Sequence, residues 1–305
     1  MLKHILMKIL LGIFSLAAIA TFAYADEAAK SGYAEVNGLK YYYEIHGTGE
    51  PLLLLHGGLG SIDMFGPVLP ALSKNRQVIA VDLQGHGRTA LGERTSFDLV
   101  TVGDDLAAIV KKLNYKQVDV LGYSLGGGAA FRLAVQHPEL VRRLALVSTG
   151  YADDGFYPDM RAQQVTMTPA TAGFMKDTPM YKSYMKVAPK PEDFPKLLGQ
   201  LGDLMRRHYD YSTDVTTLKM PVMLVFGDGD MYRPEHEMKF YQLLGGGLKD
   251  AGWGRETMSQ NRLAIIPNRT HYDIFFAPQL ATTVLPFLNG ETQVKSWAEQ
   301  VEAAR

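Results

Sequence analysis

The pentapeptide Gly122-Tyr-Ser-Leu-Gly126 sets a serine between two glycines, directly after the apolar run 118–121 and before the small-residue stretch Gly126-Gly-Gly-Ala-Ala130. A strand that turns sharply into a helix exposes the residue at its tip, and glycines on either side let the two backbones approach. The helix start adds positive charge beside that residue. Ser124 is therefore a candidate nucleophile, against the alternative of a serine that only caps the helix. A hydroxyl attacks slowly by itself. It needs a base to take its proton, an acid to orient the base, and donors for the charge that develops on a carbonyl oxygen.

His56-Gly-Gly-Leu-Gly60 follows the apolar run 51–55 and supplies candidates for those donors. The expected pair is the backbone amide of Leu125, next after the serine, and that of Gly58, with Leu59 open as the alternative to Gly58. Each such donor is typically worth ~3–4 kcal/mol. His56 itself reads as a structural hydrogen-bonding residue.

Eight histidines compete for the role of base. His4 sits in the N-terminal apolar segment, His46 after a hairpin strand, His137 before Pro138 and His208 in a strand-free stretch. His236 is expected on a helix, and His86, like Asp82, is expected to be structural. His271 follows the last apolar run, in the expected loop Pro267-Asn-Arg-Thr-His271. Loops at the C-terminal ends of parallel strands gather at one rim, where Ser124 also belongs. The acid is expected between the two in chain order, and Phe226-Gly-Asp-Gly-Asp230 offers it. Asp230 is the choice. Asp228 is expected to bond its own turn as an Asx residue, and Asp153 ranks third.

The elements that must position these groups are legible as patterns. Tyr33-Ala-Glu-Val36 and Leu39-Lys-Tyr-Tyr-Tyr-Glu-Ile45 flank Asn37-Gly38, the favoured type I′ hairpin turn. Short, wholly apolar runs at 51–55, 78–81, 118–121, 144–147, 222–226 and 263–266 fit strands buried on both faces. Leu99, Val102, Leu106, Ile109, Val110 and Leu113 follow the spacing of a one-faced helix. Further helices are expected over 124–136 and 278–288. Strands alternating with helices imply an α/β fold, a mostly parallel sheet with helices on both faces. The alternation breaks over about 150–215, which holds Met160, Met167, Met175, Met180, Met185 and Met205. This stretch is expected to be an inserted helical cap, and its methionines either shape a substrate pocket or form the cap's own core. A glycine-rich surface loop is expected near 245–254.

Four stations in this order resemble the α/β-hydrolase family over roughly residues 33–290. They are His56-Gly-Gly58, Asp82-Leu-Gln-Gly-His-Gly-Arg88, Gly122-Tyr-Ser-Leu-Gly-Gly127, and Gly227-Asp-Gly-Asp230 with Pro234. The order Ser124, Asp230, His271 is that family's order of nucleophile, acid and base. The resemblance implies an eight-stranded, mostly parallel sheet and a mobile cap over the substrate pocket. One departure stands at the base: many relatives carry glycine before the histidine, where this chain has Thr270.

Composition narrows the setting. Residues 1–25 combine a basic start at Lys3 and Lys8, an apolar run and Ala23-Tyr-Ala25, the layout of a signal peptide cleaved after Ala25. A periplasmic or secreted protein is expected, with no stable membrane insertion once that segment is removed. The formal net charge of −1 gives no reason to expect nucleic acid or an anionic membrane as partner. With no cysteine, disulfides and thiolate chemistry are excluded. No metal and no cofactor is called for. The expected activity is hydrolysis of a small ester-like molecule through an acyl-enzyme. Lactone hydrolysis, carbon–carbon bond hydrolysis, perhydrolysis and aminopeptidase action use related machinery. An aminopeptidase would need an acidic pair, for which Glu192 and Asp193 are available. A non-catalytic ligand-binding relative would need none of the three groups.

Overall fold

The structure is a computed structural model that describes residues 30–291 and 294–303. The expected signal peptide lies outside the described residues. Eight strands form one sheet: β1 (Lys30–Val36), β2 (Leu39–His46), β3 (Glu50–Leu55), β4 (Arg76–Val81), β5 (Val118–Tyr123), β6 (Val141–Val147), β7 (Val222–Gly229) and β8 (Arg262–Thr270). Their order is β1-β2-β4-β3-β5-β6-β7-β8. The β1–β2 and β2–β4 pairs are antiparallel and the rest parallel. Asn37 and Gly38 both take positive φ, 47° and 81°, as a type I′ turn requires.

Leu52, Leu53, Leu54 and Leu55 of β3 are all fully buried. Leu53 and Leu55 enter the hydrophobic core on one face of the sheet, and Leu52 and Leu54 the core on the other. A strand covered on both sides has no polar face to show, which is why these runs lack alternation. Helices α1 (Val68–Ser73) and α10 (Pro278–Leu288) contribute to the second core, and α2 (Leu99–Lys112) and α3 (Leu125–Gln136) to the first. The carboxylate of Asp98 caps α2 by accepting the amides of Val100 and Thr101 at 3.0 and 3.1 Å.

Between β6 and β7 the chain runs through α4 (Pro158–Gln164), α5 (Ala172–Met175), α6 (Pro179–Val187), α7 (Phe194–Arg206) and α8 (Ser212–Val215). Phe194, Leu197, Leu198 and Leu201 of α7 are buried in the first core. Gln200 donates to the carbonyl of Arg94 at 2.7 Å, and Arg207 pairs with Asp98 at 3.1 Å. These contacts fasten the insertion across the rim. After α9 (Pro234–Leu243) the glycine-rich segment runs without regular structure to β8, and α11 (Trp297–Ala303) lies near the C-terminus.

The sheet order reverses at β3. The chain moves from β3 to β4 on one side, then returns to β5 on the other, with Leu55 opposite Gly122. The loops leaving β3 and β5 therefore separate in opposite directions and leave a crevice between them.

Candidate active site

Ser124 occupies the bend between β5 and α3 with φ 51° and ψ −118°, a conformation costly for a residue with a Cβ. Its side chain makes no capping bond to α3. The glycines around it are enforced by packing. A Cβ on Gly122 would collide with the carbonyl of Gly126, and one on Gly126 with the carbonyls of Leu55 and His56. The Ser124 amide donates to the Val147 carbonyl at 2.9 Å, and the Ser148 amide to the Val225 carbonyl at 2.8 Å. The ladders thus continue past the strand ends and bring the tips of β5, β6 and β7 side by side.

The three predicted groups meet at that rim. Ser124 Oγ lies 3.0 Å from His271 Nε2, and His271 Nδ1 lies 3.1 Å from Asp230 Oδ1. Asp230 is buried and also accepts the Met231 amide at 2.8 Å. Burial opposes its ionisation, but the hydrogen bonds from His271, Ser148 and Met231 outweigh it and hold the carboxyl below the usual range. An ionised Asp230 accepts a hydrogen bond from His271 Nδ1–H and so keeps the proton on that nitrogen. The Nε2 lone pair then faces the Ser124 hydroxyl.

Two residues that the motif reading left without a role complete the arrangement. Ser148 is fully buried at the end of β6, with φ 49°, and its hydroxyl donates to Asp230 Oδ2. Tyr123 donates its hydroxyl to the His271 carbonyl at 2.5 Å, fixing the backbone that carries the imidazole. A serine directly after a buried strand was the available signal for the first. The second is the variable position inside the serine pentapeptide.

Leu125 opens α3, so its amide has no partner within the helix. Gly58 lies against it: a Cβ on Gly58 would stand 3.6 Å from Leu125 Cδ2. Ser124, Leu125, Gly58 and Leu59 all line one cavity. The loop carrying Gly58 is held by His56, whose Nδ1 bonds the Gly57 carbonyl at 2.8 Å while Nε2 accepts the Leu83 amide at 3.0 Å. Burial lowers the His56 pKa to about 4, so the ring stays neutral. Asp82 accepts the Ile62 and Arg88 amides, both at 2.8 Å, and ties the same loop to the turn after β4.

Other expectations change. The segment before His271 is not a loop, because β8 extends to Thr270 and pairs with β7 through Gly229. Asp228 bonds across that extension, accepting the Arg269 amide at 3.1 Å, rather than only bracing its own turn. Thr270 replaces glycine without conflict: its amide and hydroxyl both donate to Asp273 Oδ1, at 2.7 and 2.8 Å. Asp153 pairs with Arg161 at 2.9 Å and stands apart from His271. Glu192 and Asp193 do not line the cavity with Ser124.

The cavity has a volume of about 760 Å³. Six methionines line it: Met64, Met160, Met167, Met180, Met205 and Met231. Of the insertion's methionines, Met175 and Met185 instead pack against the core. The methionine-rich stretch thus divides between cavity wall and core packing, with Met167 taking part in both.

Ser124 on its strand–helix bend, the His271 imidazole and the Asp230 carboxylate thus stand in hydrogen-bonded sequence beneath a helical insertion on a mostly parallel sheet. The chain belongs to the alpha/beta hydrolase fold family, whose model matches residues 50–245. It is similar to the soluble epoxide hydrolase of a Corynebacterium species, 39% identical over 114 residues, which are 37% of this chain and 40% of that one. It is also similar to the 2-hydroxymuconate semialdehyde hydrolase of a Pseudomonas species, 34% identical over 115 residues, 37% of this chain and 41% of that one. These matches thus span about two fifths of the curated relatives' lengths. Among solved structures, a carboxylesterase of Bacillus subtilis superposes with a TM-score of 0.64 at 19% identity, over 86% of this chain and 92% of that one. The likeness to that structure is one of fold.

Proposed function

We propose that this protein hydrolyses carboxylic esters with an apolar acyl or alcohol group, through an acyl-enzyme on Ser124. One observation carries the reading: the unbroken series Ser124 Oγ, His271 Nε2, His271 Nδ1, Asp230 Oδ1, with steps of 3.0 and 3.1 Å. His271 takes the Ser124 proton as the hydroxyl oxygen attacks the ester carbonyl, and Asp230 steadies the imidazolium that forms. The amides of Leu125 and Gly58 receive the oxyanion. The alcohol leaves with the proton from His271. Water, deprotonated by His271, then attacks the acyl-serine and releases the acid.

The chemistry of the nucleophile favours an acyl substrate over an epoxide. A serine that opened an epoxide would be left as an ether, with no carbonyl for water to attack, and turnover would stop. The cavity's methionines and rings favour an apolar group beside the ester.

Ser124→Ala is the direct test. Hydrolysis of short p-nitrophenyl esters is expected to fall by at least about a thousandfold with the fold unchanged. Activity near wild type would reject the mechanism. Export rests on the N-terminal segment, and N-terminal sequencing of the mature protein is expected to begin at Asp26. A mature chain beginning at Met1 would contradict it.

A further inference from the structure

The segment that forms one flank of the cavity carries large apolar side chains on its outer surface. Phe174 of α5 is 90% exposed and Met180 of α6 is 42% exposed, although both are large apolar side chains. Gly173 and Pro179 beside them are also exposed. Lys176, Lys182, Lys186 and Lys190 project from the same segment, all exposed. None of the four makes an ion pair among the described residues.

Helical geometry sorts the side chains of α6. Tyr184 is buried, and Tyr181 and Met185 pack against the core beside it. At 100° per residue the opposite face carries Lys182 and Lys186. Pro179, Met180 and Ser183 line the cavity, and the first two are exposed, so the cavity reaches the surface beside the lysines. The acidic groups nearby are Asp177, Glu192 and Asp193. Only Asp177 lies among the four lysines, and Glu192 and Asp193 follow the last of them.

We propose that α5 and α6 dock the protein peripherally on an anionic lipid surface. Phe174 enters the headgroup region, and the four lysines pair with lipid phosphates. The cavity entrance at Met180 is thereby held against the source of apolar esters. Exposed aromatic and apolar tips flanked by lysines fit an interface that is apolar within and negatively charged outside. A protein partner would offer less reason for a projecting phenyl ring on a segment that also carries four lysines without an ion pair among the described residues. The substrate part of this inference rests on the proposed esterase reading, whereas the docking part does not.

Co-sedimentation with vesicles of phosphatidylglycerol and phosphatidylcholine tests it, using the full mature chain. Wild type is expected to bind these vesicles and not vesicles of phosphatidylcholine alone. Binding is expected to weaken at least about tenfold between about 0.02 and about 0.5 M salt. It is expected to fall about fivefold for each lysine changed to glutamine, in K176Q, K182Q, K186Q and K190Q. Phe174→Asp is expected to weaken it about tenfold. Turnover of a soluble short ester is expected to stay at the wild-type level in all five variants. Ser124→Ala is expected to bind vesicles like wild type while losing turnover, which separates docking from catalysis. Salt-independent or absent binding to the anionic vesicles by wild type would overturn the proposal, and needs no variant to fold. Equal binding by a variant that combines K176Q, K182Q, K186Q and K190Q would also overturn it. So would self-association in vesicle-free solution that Phe174→Asp abolishes, because a second copy would then be the occupant of this face.

Discussion

Each side chain at the site depends on a neighbour that holds it in place. Asp230 stays ionised although buried because Ser148, the Met231 amide and His271 all donate to it. Removing the Ser148 hydroxyl leaves part of that charge uncompensated. Ser148→Ala is expected to lower kcat about tenfold with KM nearly unchanged, measured by steady-state ester hydrolysis. An unaltered kcat would show that the hydroxyl does not orient the acid. Ser124 and His271 were legible in the sequence as candidates because each announces itself locally: a serine between glycines after an apolar run, a histidine after the last such run. Ser148 was not legible in that role. Its partnership with Asp230 exists only because β6 lies beside β7, and no spacing along the chain encodes that adjacency.

At the scale of elements, the apolar runs marked β3 to β7, strands covered on both faces and so apolar throughout, whereas the run 263–266 belongs to the edge strand β8, where Ile265 is 45% exposed and the expected burial on both faces is not found. The polar continuation of β8 through Pro267-Asn-Arg-Thr270 escaped notice because pairing with β7, not composition, makes it a strand. Helix α1 is only 6 residues long, too short for a periodicity to emerge. The strand–helix bend at Ser124 has no room for a Cβ on either flank. Gly126→Ala is expected to destabilise the protein by about 2–3 kcal/mol and to abolish activity, read by urea denaturation and ester assay. The helical insertion closes the other side of the cavity. If its methionines receive the acyl group, kcat/KM is expected to rise about fourfold per added methylene from acetyl esters upward, until the cavity is filled. A flat response across that series would remove the cavity from substrate recognition.

The whole molecule carries buried ionisable groups that set its response to pH. Burial lowers the pKa values of His56 and His236 to about 4 and of His86 to about 3. Each must take up its proton at a lower pH in the folded state than in the unfolded chain. Stability is therefore lost as pH falls from the ordinary histidine value of 6.5 toward those values. Burial raises the Glu237 carboxyl to about 8, with the Asp230 charge adding to it. A raised acid has the opposite sign: its folded form holds the proton longer, and stability is lost as pH rises from 4.5 toward 8. The melting temperature is expected to peak near neutrality. Glu237→Gln is expected to raise it by at least about 2 °C at alkaline pH and to do little in acid. A variant that melts like wild type at alkaline pH would remove Glu237 from that limb. Net charge was readable from composition, and the lysines at 176, 182, 186 and 190 are close in sequence, but the burial of these acids and imidazoles depends on the fold.

The most direct measurement is covalent labelling by a fluorophosphonate probe, followed by peptide mapping. Wild-type protein is expected to carry one label, on Ser124. His271→Ala is expected to label far more slowly, because the hydroxyl keeps its proton. A label on another residue, or equal labelling rates in the two proteins, would contradict a serine activated by His271.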